Sequence, residues 1–239
     1  MVNSCGIAPA QGDLFSESPS APAAGKIALQ DFDTAFRLRE LSADAYDVYI
    51  NAVLSELPIE NELIRFAKKV IQSGRDGAEK ACTDRGDPDV EIVQKAAYKV
   101  VREIDRLMGL LRFNPNSKGQ YIARCSPDTF VLPGLAEHFR QRFGETPWAI
   151  IDEKRSIALV SQDGAAPQLV STSPLPPPPS PLIPPSSEPK VRFHPSSPDP
   201  WEGLWRQYHE VINNEGRYNP GLQRQFMPQR YWKYLPEMR

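Results

Sequence analysis

The feature that most constrains this chain is a proline-dense stretch about two-thirds of the way along it. Pro174, the run Pro176 to Pro179, Pro181, Pro184, Pro185 and Pro189 crowd into residues 161–198. Proline fixes φ and lacks an amide donor, so no helix or sheet interior can run through such a segment. The chain must fold as two pieces joined by an extended polyproline spacer, rising about 3.1 Å per residue where that conformation persists. A Pro-x-x-Pro pattern beside Lys190 and Arg192 also fits an SH3-type groove, but spacers are the commoner use of this composition. Residues 1–28 are rich in Ser, Pro, Ala and Gly and read as a disordered tail. A core over residues 29–160 and a terminal segment over 199–239 remain.

The first half of the core reads as helical. Asp33 is a cap candidate for a short helix through Leu41, and Ser42 for another through about Leu54. Pro58-Ile-Glu-Asn-Glu opens a third, with acids near its positive end and a stop expected at Gly74. Arg75 to Asp87 then reads as a polar loop. Val93, Ala97, Val100, Val101, Ile104, Leu107 and Met108 recur at three- and four-residue spacing, which predicts a helix from about Pro88 to Met108 with one buried face.

After Gly109 the pattern changes to short strands. Leu110-Leu-Arg-Phe and Tyr121-Ile-Ala-Arg-Cys flank Asn114-Pro-Asn-Ser-Lys-Gly, a turn composition between two strands. A helix over about Gly134 to Phe143 leads to a second hairpin, Trp148-Ala-Ile-Ile-Asp and Ser156-Ile-Ala-Leu-Val. Beyond the spacer, Asp199-Pro200 starts a helix to about Asn213, with Trp205, Tyr208 and Ile212 on one stripe. Asn219-Pro220 and Pro228 start two more short helices. The expected fold is α+β: a helical N-terminal half, a small antiparallel sheet of two hairpins, and C-terminal helices docking back on the core.

Composition excludes several functional classes. A net charge of −2 is not that of a generally basic nucleic-acid coat protein, so any phosphate-binding surface must be local. Charge is uneven: residues 31–112 carry 13 Lys+Arg against 16 Asp+Glu, while residues 217–239 carry five cations and one acid. Cys5, Cys82 and Cys125 are too scattered for a disulfide framework, a zinc site or an iron–sulfur cluster. No cofactor motif is present, no leader or membrane span is visible, and the expected location is cytoplasmic.

The strongest chemical signal is the terminal block. Arg217, Arg224, Arg230 and Lys233 alternate with Tyr218, Phe226, Tyr231, Trp232 and Tyr234. Cations interleaved with flat rings suit a surface that neutralises phosphates and stacks on bases, with Asn219 and Gln223 offering amides. The same rings also suit anchors on a core, with Trp232, Phe226 and Leu222 buried and Asn219 only a cap. Arg112, Lys118 and Arg124 fall on or between the first two strands, where a hairpin brings Arg112 near Arg124 to hold a phosphate or a carboxylate such as Asp128. His138 and Arg142 share a helix face that suits an anion, or a histidine bonded to backbone. Cys125, His138 and Asp152 form the nucleophile–base–orienter set the sequence offers, without a local motif to support it. Asp152 and Glu153 are adjacent carboxylates that a strand would point to opposite faces.

With these pieces in order, the chain resembles a bacterial family described as DNA-metabolism proteins of unknown mechanism. The matching blocks are Leu110-Leu-Arg-Phe, Tyr121-Ile-Ala-Arg-Cys-Ser-Pro-Asp, Leu135-Ala-Glu-His-Phe-Arg-Gln-Arg-Phe, Trp148-Ala-Ile-Ile-Asp-Glu and Arg217-Tyr-Asn-Pro-Gly-Leu-Gln-Arg-Gln-Phe-Met-Pro-Gln-Arg-Tyr-Trp. They span about residues 30–160 and 199–237, leaving the proline spacer as an insertion. The resemblance implies association with a radical SAM protein of DNA modification or repair, and a domain elsewhere fused to a uracil-DNA-glycosylase-like domain. It implies no catalytic residue. The expectation is an accessory, non-catalytic protein acting with that enzyme and contacting DNA through its terminal block. A pure protein-docking subunit and an unrecognised hydrolase or nuclease are the alternatives.

Overall fold

The computed structural model describes residues 29–116, 118–172 and 200–238. The expected disordered tail and most of the proline spacer lie outside those residues.

A long helix, α4 (Pro88–Leu110), organises the rest. Asp87 caps it, its Oδ1 accepting from the amides of Asp89 and Val90, and Pro88 occupies the first turn. The apolar stripe runs its whole length, but the two halves meet different neighbours. Val90, Val93, Ala96 and Ala97 face three earlier helices, while Val100, Ile104 and Leu107 face the sheet. Val101, assigned to the buried face by spacing, is exposed, because the stripe turns away from it as the packing partner changes.

The three earlier helices are α1 (Leu29–Leu41), α2 (Ala43–Leu54) and α3 (Glu60–Thr83). With the first half of α4 they bury Leu38, Tyr49, Phe66, Val70, Cys82 and Val93 in one cluster. Ser42 caps α2 as its sequence suggests, accepting from the Ala45 amide. Two expectations are corrected here. Asp33 lies inside α1, since no glycine or proline stops the helix from starting at Leu29. The stretch after Gly74 is helix, because Ala78, Ala81 and Cys82 bury a face against α4. Gly74 marks a kink within α3, at φ 63° and ψ −176°. Lys69, bonded to Asp84 and Asp87, and Arg65, bonded to Asp89, lace α3 to the start of α4.

The sheet has five strands in chain order: β1 (Asn114–Pro115), β2 (Tyr121–Cys125), β3 (Trp148–Asp152), β4 (Ile157–Ser161) and β5 (Gln168–Ser171). All neighbours are antiparallel except β2 and β3, which run parallel with Tyr121 opposite Trp148 and Cys125 opposite Asp152. The first expected hairpin is thus only two residues wide, since Leu110 ends α4 and Leu111 packs in the core. Between β2 and β3, α5 (Leu132–Phe143) supplies the crossover that a parallel pair requires. β5 takes residues assigned by sequence to the spacer. Gln168-Leu-Val-Ser contains no proline and pairs with β4 at the sheet edge, so the spacer starts later than expected.

The strand β3 is buried at all five residues. Trp148 and Ile150 join Phe139, Leu135 and Leu107 in the main core, while Ala149 and Ile151 form a smaller cluster with Ala158 and Val160. After residue 200 come α6 (Pro200–Ile212), α7 (Pro220–Phe226) and 3-10 turns at Gln229–Tyr234 and Pro236–Met238. Only the end of this segment enters the core, through Tyr231, Leu235 and Pro236. On the stripe expected to dock, Trp205 is held by Glu237 through its Nε1 though its ring stays partly open, while Tyr208 and Ile212 are 55 % exposed. Among the described residues no helix is long and apolar enough to cross a membrane.

Two glycines separate backbone strain from helix propensity. At Gly74 a Cβ would meet nothing within 4 Å, yet its dihedrals belong to a region open essentially to glycine alone. Gly74→Ala is expected to destabilise the protein by about 1–3 kcal/mol in urea denaturation. Gly109→Ala, in the last turns of α4 with equal space, is expected to stabilise it by up to about 1 kcal/mol.

Candidate functional site

The charged residue buried deepest in the α4 stripe is Glu103. Its Oε1 accepts from the Asp128 amide at 3.0 Å, from Tyr231 Oη at 2.5 Å and from Arg230 Nη2 at 2.7 Å. Its Oε2 accepts from the Thr129 amide at 2.8 Å and the Thr129 hydroxyl at 2.6 Å. Burial pushes this carboxyl up, but the bonds from Thr129, Tyr231 and the two amides outweigh it and hold the group at about 2. Arg230 also reaches Asp128 Oδ2 at 2.7 Å. One carboxylate on α4 therefore fastens the loop after β2 and the C-terminal turn together.

Two further carboxylates extend this clasp. Glu153, just past β3, accepts from Tyr234 Oη at 2.6 Å and pairs with Lys233 at 3.3 Å and Arg124 at 3.6 Å. Glu237, its side chain 2 % exposed, pairs with Arg112 at 2.6 Å and accepts from Trp205 Nε1 at 3.0 Å. Parallel sheets commonly hold ligands beyond the carboxyl ends of their strands. Here the residues just past β2 and β3 grip the chain's own 3-10 turn.

Asp152 and Arg155 form a separate pair across the β3–β4 turn. Asp152 Oδ2 accepts from Arg155 Nη1 at 2.7 Å, and Arg155 also bonds Glu56 and the carbonyls of Pro127 and Asp128. Burial pushes the Asp152 carboxyl up, with Arg155 pulling the other way. Phe130 lies beneath the Arg155 guanidinium, 5.8 Å from ring centroid to Cζ.

The structure distributes the predicted site residues over three environments. Arg112, Arg124, Arg230 and Tyr231 belong to the clasp and hold internal carboxylates. The register of the first hairpin would set Arg112 opposite Arg124, but pairing stops at Asn114–Ile122 and different acids take each cation. Trp232 is half-buried, its Nε1 donating to the Met227 carbonyl at 2.9 Å. Asn219 caps α7, accepting from the Leu222 amide at 3.0 Å, and Gln223 donates to Met238 Sδ at 3.6 Å. Arg217 and Arg224 are exposed, as is Lys118 in the turn before β2. His138, half-buried on α5, sits edge-on to Phe139 at 4.8 Å, while Arg142 in the last turn of α5 is exposed.

The anchor assignments change accordingly. Leu222 and Phe226, expected as buried anchors, are 50 % and 59 % exposed, and Tyr231 with Leu235 takes that role. A seven-residue helix between loops cannot by itself press its apolar side into the core, whereas Tyr231 has a carboxylate waiting for its hydroxyl.

The nucleophile–base set does not assemble. Cys125 is fully buried, its thiol pushed far above its usual range by burial and then by Asp152 and Glu153. Its Sγ donates toward the Ile151 carbonyl at 3.6 Å, and Asp152 accepts from Arg155 and the Lys154 amide. A protonated, enclosed thiol is no nucleophile.

Arg112 and Arg142, by contrast, come to one place. They line a groove of about 750 Å3 between α6 and the β1–β2/α5 edge, with Phe113, Tyr121, Phe143, Trp205 and Tyr208. Phe143 lies 4.7 Å from Phe113, 5.5 Å from Tyr121 and 6.1 Å from Trp148, so the floor is a packed aromatic cluster. The sequence places Trp205 and Tyr208 on one stripe of α6 but does not bring them to Phe113, Tyr121 and Phe143, because residues separated by about 90 positions meet there only through tertiary contacts such as Arg112 over Trp205 and Glu237 on both.

The family model described as "Domain of unknown function (DUF4130)" matches residues 59–237, and the chain belongs to that family. The match begins just before α3, so α1 and α2 lie outside it. No curated protein and no solved structure matches the chain.

The clasp makes stability depend on acidity. A carboxylate held at about 2 in the folded state, against an ordinary value of about 4.5, contributes stability above pH 4.5 that is lost as pH falls toward 2. That contribution is about 3 kcal/mol, and Asp152, whose carboxyl is raised, runs in the opposite sense. Glu103→Ala is expected to cost about 3 kcal/mol or more in urea denaturation at pH 7 and to flatten the loss of stability between pH 4.5 and 2. Equal slopes for the variant and the parent would show that the clasp is not the titrating element.

Proposed function

We propose that this DUF4130 member is an accessory subunit in DNA modification or repair that docks on a protein partner, a radical SAM enzyme, through α7 and the end of α6. The observation that supports docking is that α7 buries none of its seven residues. A helix that short is marginal in water, even with Asn219 capping it. Its apolar side chains Leu222 and Phe226 nevertheless face outward, next in sequence to Tyr218 at 67 % exposed and Val211 at 76 %. Large apolar residues gathered on so weakly supported a segment are the mark of a surface completed by a partner. The identity of that partner, and the DNA setting, come from the resemblance of the sequence blocks; the exposed segment supplies the surface.

A second reading is direct DNA contact by the same segment. Arg217 and Arg224 are exposed on either side of Tyr218 and Leu222, and this combination can grip phosphate and stack on a base. The docking reading is favoured because most of the block's other cations are occupied internally, Arg230 by Glu103 and Asp128 and Lys233 by Glu153.

Co-expression with the radical SAM protein of the same genome, followed by affinity capture of the full chain, tests the proposal. The intact chain is expected to retain the enzyme. Leu222→Asp/Phe226→Asp should reduce retention at least about tenfold, and Arg217→Ala/Arg224→Ala should leave it largely intact. Loss of retention in the arginine variant alone, or no retention by the intact chain, would overturn the docking reading.

A further inference from the structure

We infer that the groove between α6 and the β1–β2/α5 edge is a binding site for an unpaired nucleobase and its adjoining phosphate, as in single-stranded DNA. The inference deepens the DNA side of the proposed function and rests on it for the choice of DNA. The site's shape and chemistry stand on the groove itself, apart from whether α7 docks a partner.

The walls are flat and held in place. Trp205 is fixed at both its polar edge and one face: Nε1 donates to Glu237 at 3.0 Å, and the Arg112 guanidinium lies 5.3 Å from its ring centroid. Glu237 thus orients Arg112 and Trp205 together, and Arg206 adds a bond to the Pro236 carbonyl at 2.9 Å. Tyr208, one turn further along α6, lies 5.8 Å from Trp205 and is more exposed. Opposite them, Phe113, Tyr121 and Phe143 are mutually packed and cannot collapse into the space. Aromatic walls that do not need to rearrange are what a base requires to stack without a large ordering cost.

Charge selects the ligand further. Arg112 is neutralised by Glu237, and Glu202 on the rim is bonded by Arg206. Arg142 is left at the mouth with no carboxylate partner among the described residues. A groove of five rings with a single uncompensated cation fits a flat heterocycle carrying one phosphate. A helix of a partner protein would present aliphatic knobs, which flat walls receive poorly. About 750 Å3 accommodates a nucleotide and is small for a duplex, whose bases are in any case stacked on one another.

The test is fluorescence anisotropy of a labelled mixed-sequence single strand and the matching duplex, titrated with the full chain at low and moderate salt. Single-stranded DNA is expected to bind more tightly than duplex. Tyr208→Ala, at an exposed position outside the clasp, should weaken it about 5- to 100-fold, the range of one lost base–aromatic stack. Arg142→Ala should weaken it and lower the slope of log K against log salt by about 0.7, one phosphate contact on a single strand. Tyr208→Phe should restore most of the affinity, since the ring and not the hydroxyl is invoked. Absence of binding, indifference to both substitutions, loss only in Arg217→Ala/Arg224→Ala, or equal binding of duplex would each overturn the assignment. Capture of the radical SAM protein is read separately, so failure of either reading leaves the other result intact.

Discussion

The seating of the C-terminal turn on the core rests first on one buried carboxylate, Glu103, which Glu153 and Glu237 extend along the chain. Glu103 occupies a position in the α4 stripe where an aliphatic residue would be expected, and desolvating its charge would be costly if it stood alone. Donors from Thr129, the Asp128 and Thr129 amides, Tyr231 and Arg230 answer it. Because those donors come from two distant parts of the chain, the carboxylate is satisfied only when the loop after β2 and the terminal turn are both in place. Removing any one donor therefore weakens the seat of the others, which is how a polar network fixes one arrangement among several with similar apolar burial.

That arrangement decides what the basic aromatic block can do. From composition, Arg230, Lys233 and Arg112 belong with Arg217 and Arg224 as phosphate ligands. The fold divides them: the first three are bound to Glu103, Glu153 and Glu237. A cation already bonded to a buried acid gains little from a phosphate, since taking up the new partner means giving up the old one. The surface this segment leaves exposed is consequently more apolar and less cationic than the sequence of residues 217–239 suggests.

Much of the fold was legible in the sequence, and the exceptions have identifiable causes. The α4 periodicity, the Ser42 cap, the Asn219-Pro220 start and the hairpin of β3 and β4 all carry local signals. The parallel pairing of β2 and β3 does not, because only the placement of α5 on one side of the sheet sets that direction. Helix beyond Gly74 was hidden by a polar run whose alanines are buried by α4, a tertiary effect that propensity does not record. For the site, Glu103 left a readable trace: an acid three residues after Val100 and four before Leu107 interrupts an otherwise apolar stripe. Glu237 left none, since an exposed-looking acid near a terminus is ordinary until Arg112 and Trp205 converge on it.

The groove and the α7 face are joined by α6, whose two halves are held differently. The first half of α6 is held to the core by Glu237 and the Pro236 carbonyl, so Trp205 has a defined position. Its second half, with Val211 and Ile212 exposed, is less firmly held, and α7 beyond it is tied to the terminal turns by Gln223 on Met238 Sδ and by Trp232 on the Met227 carbonyl. If a partner covered this second half, it would restrain the helix that forms one wall of the groove, and a base seated on Tyr208 would restrain that same half of the helix. Each ligand would then lower the ordering cost met by the other without moving any atom of the clasp. Because such coupling is reciprocal, a protein built this way would hold single-stranded DNA best when the partner is already bound, and would hold the partner best on its substrate.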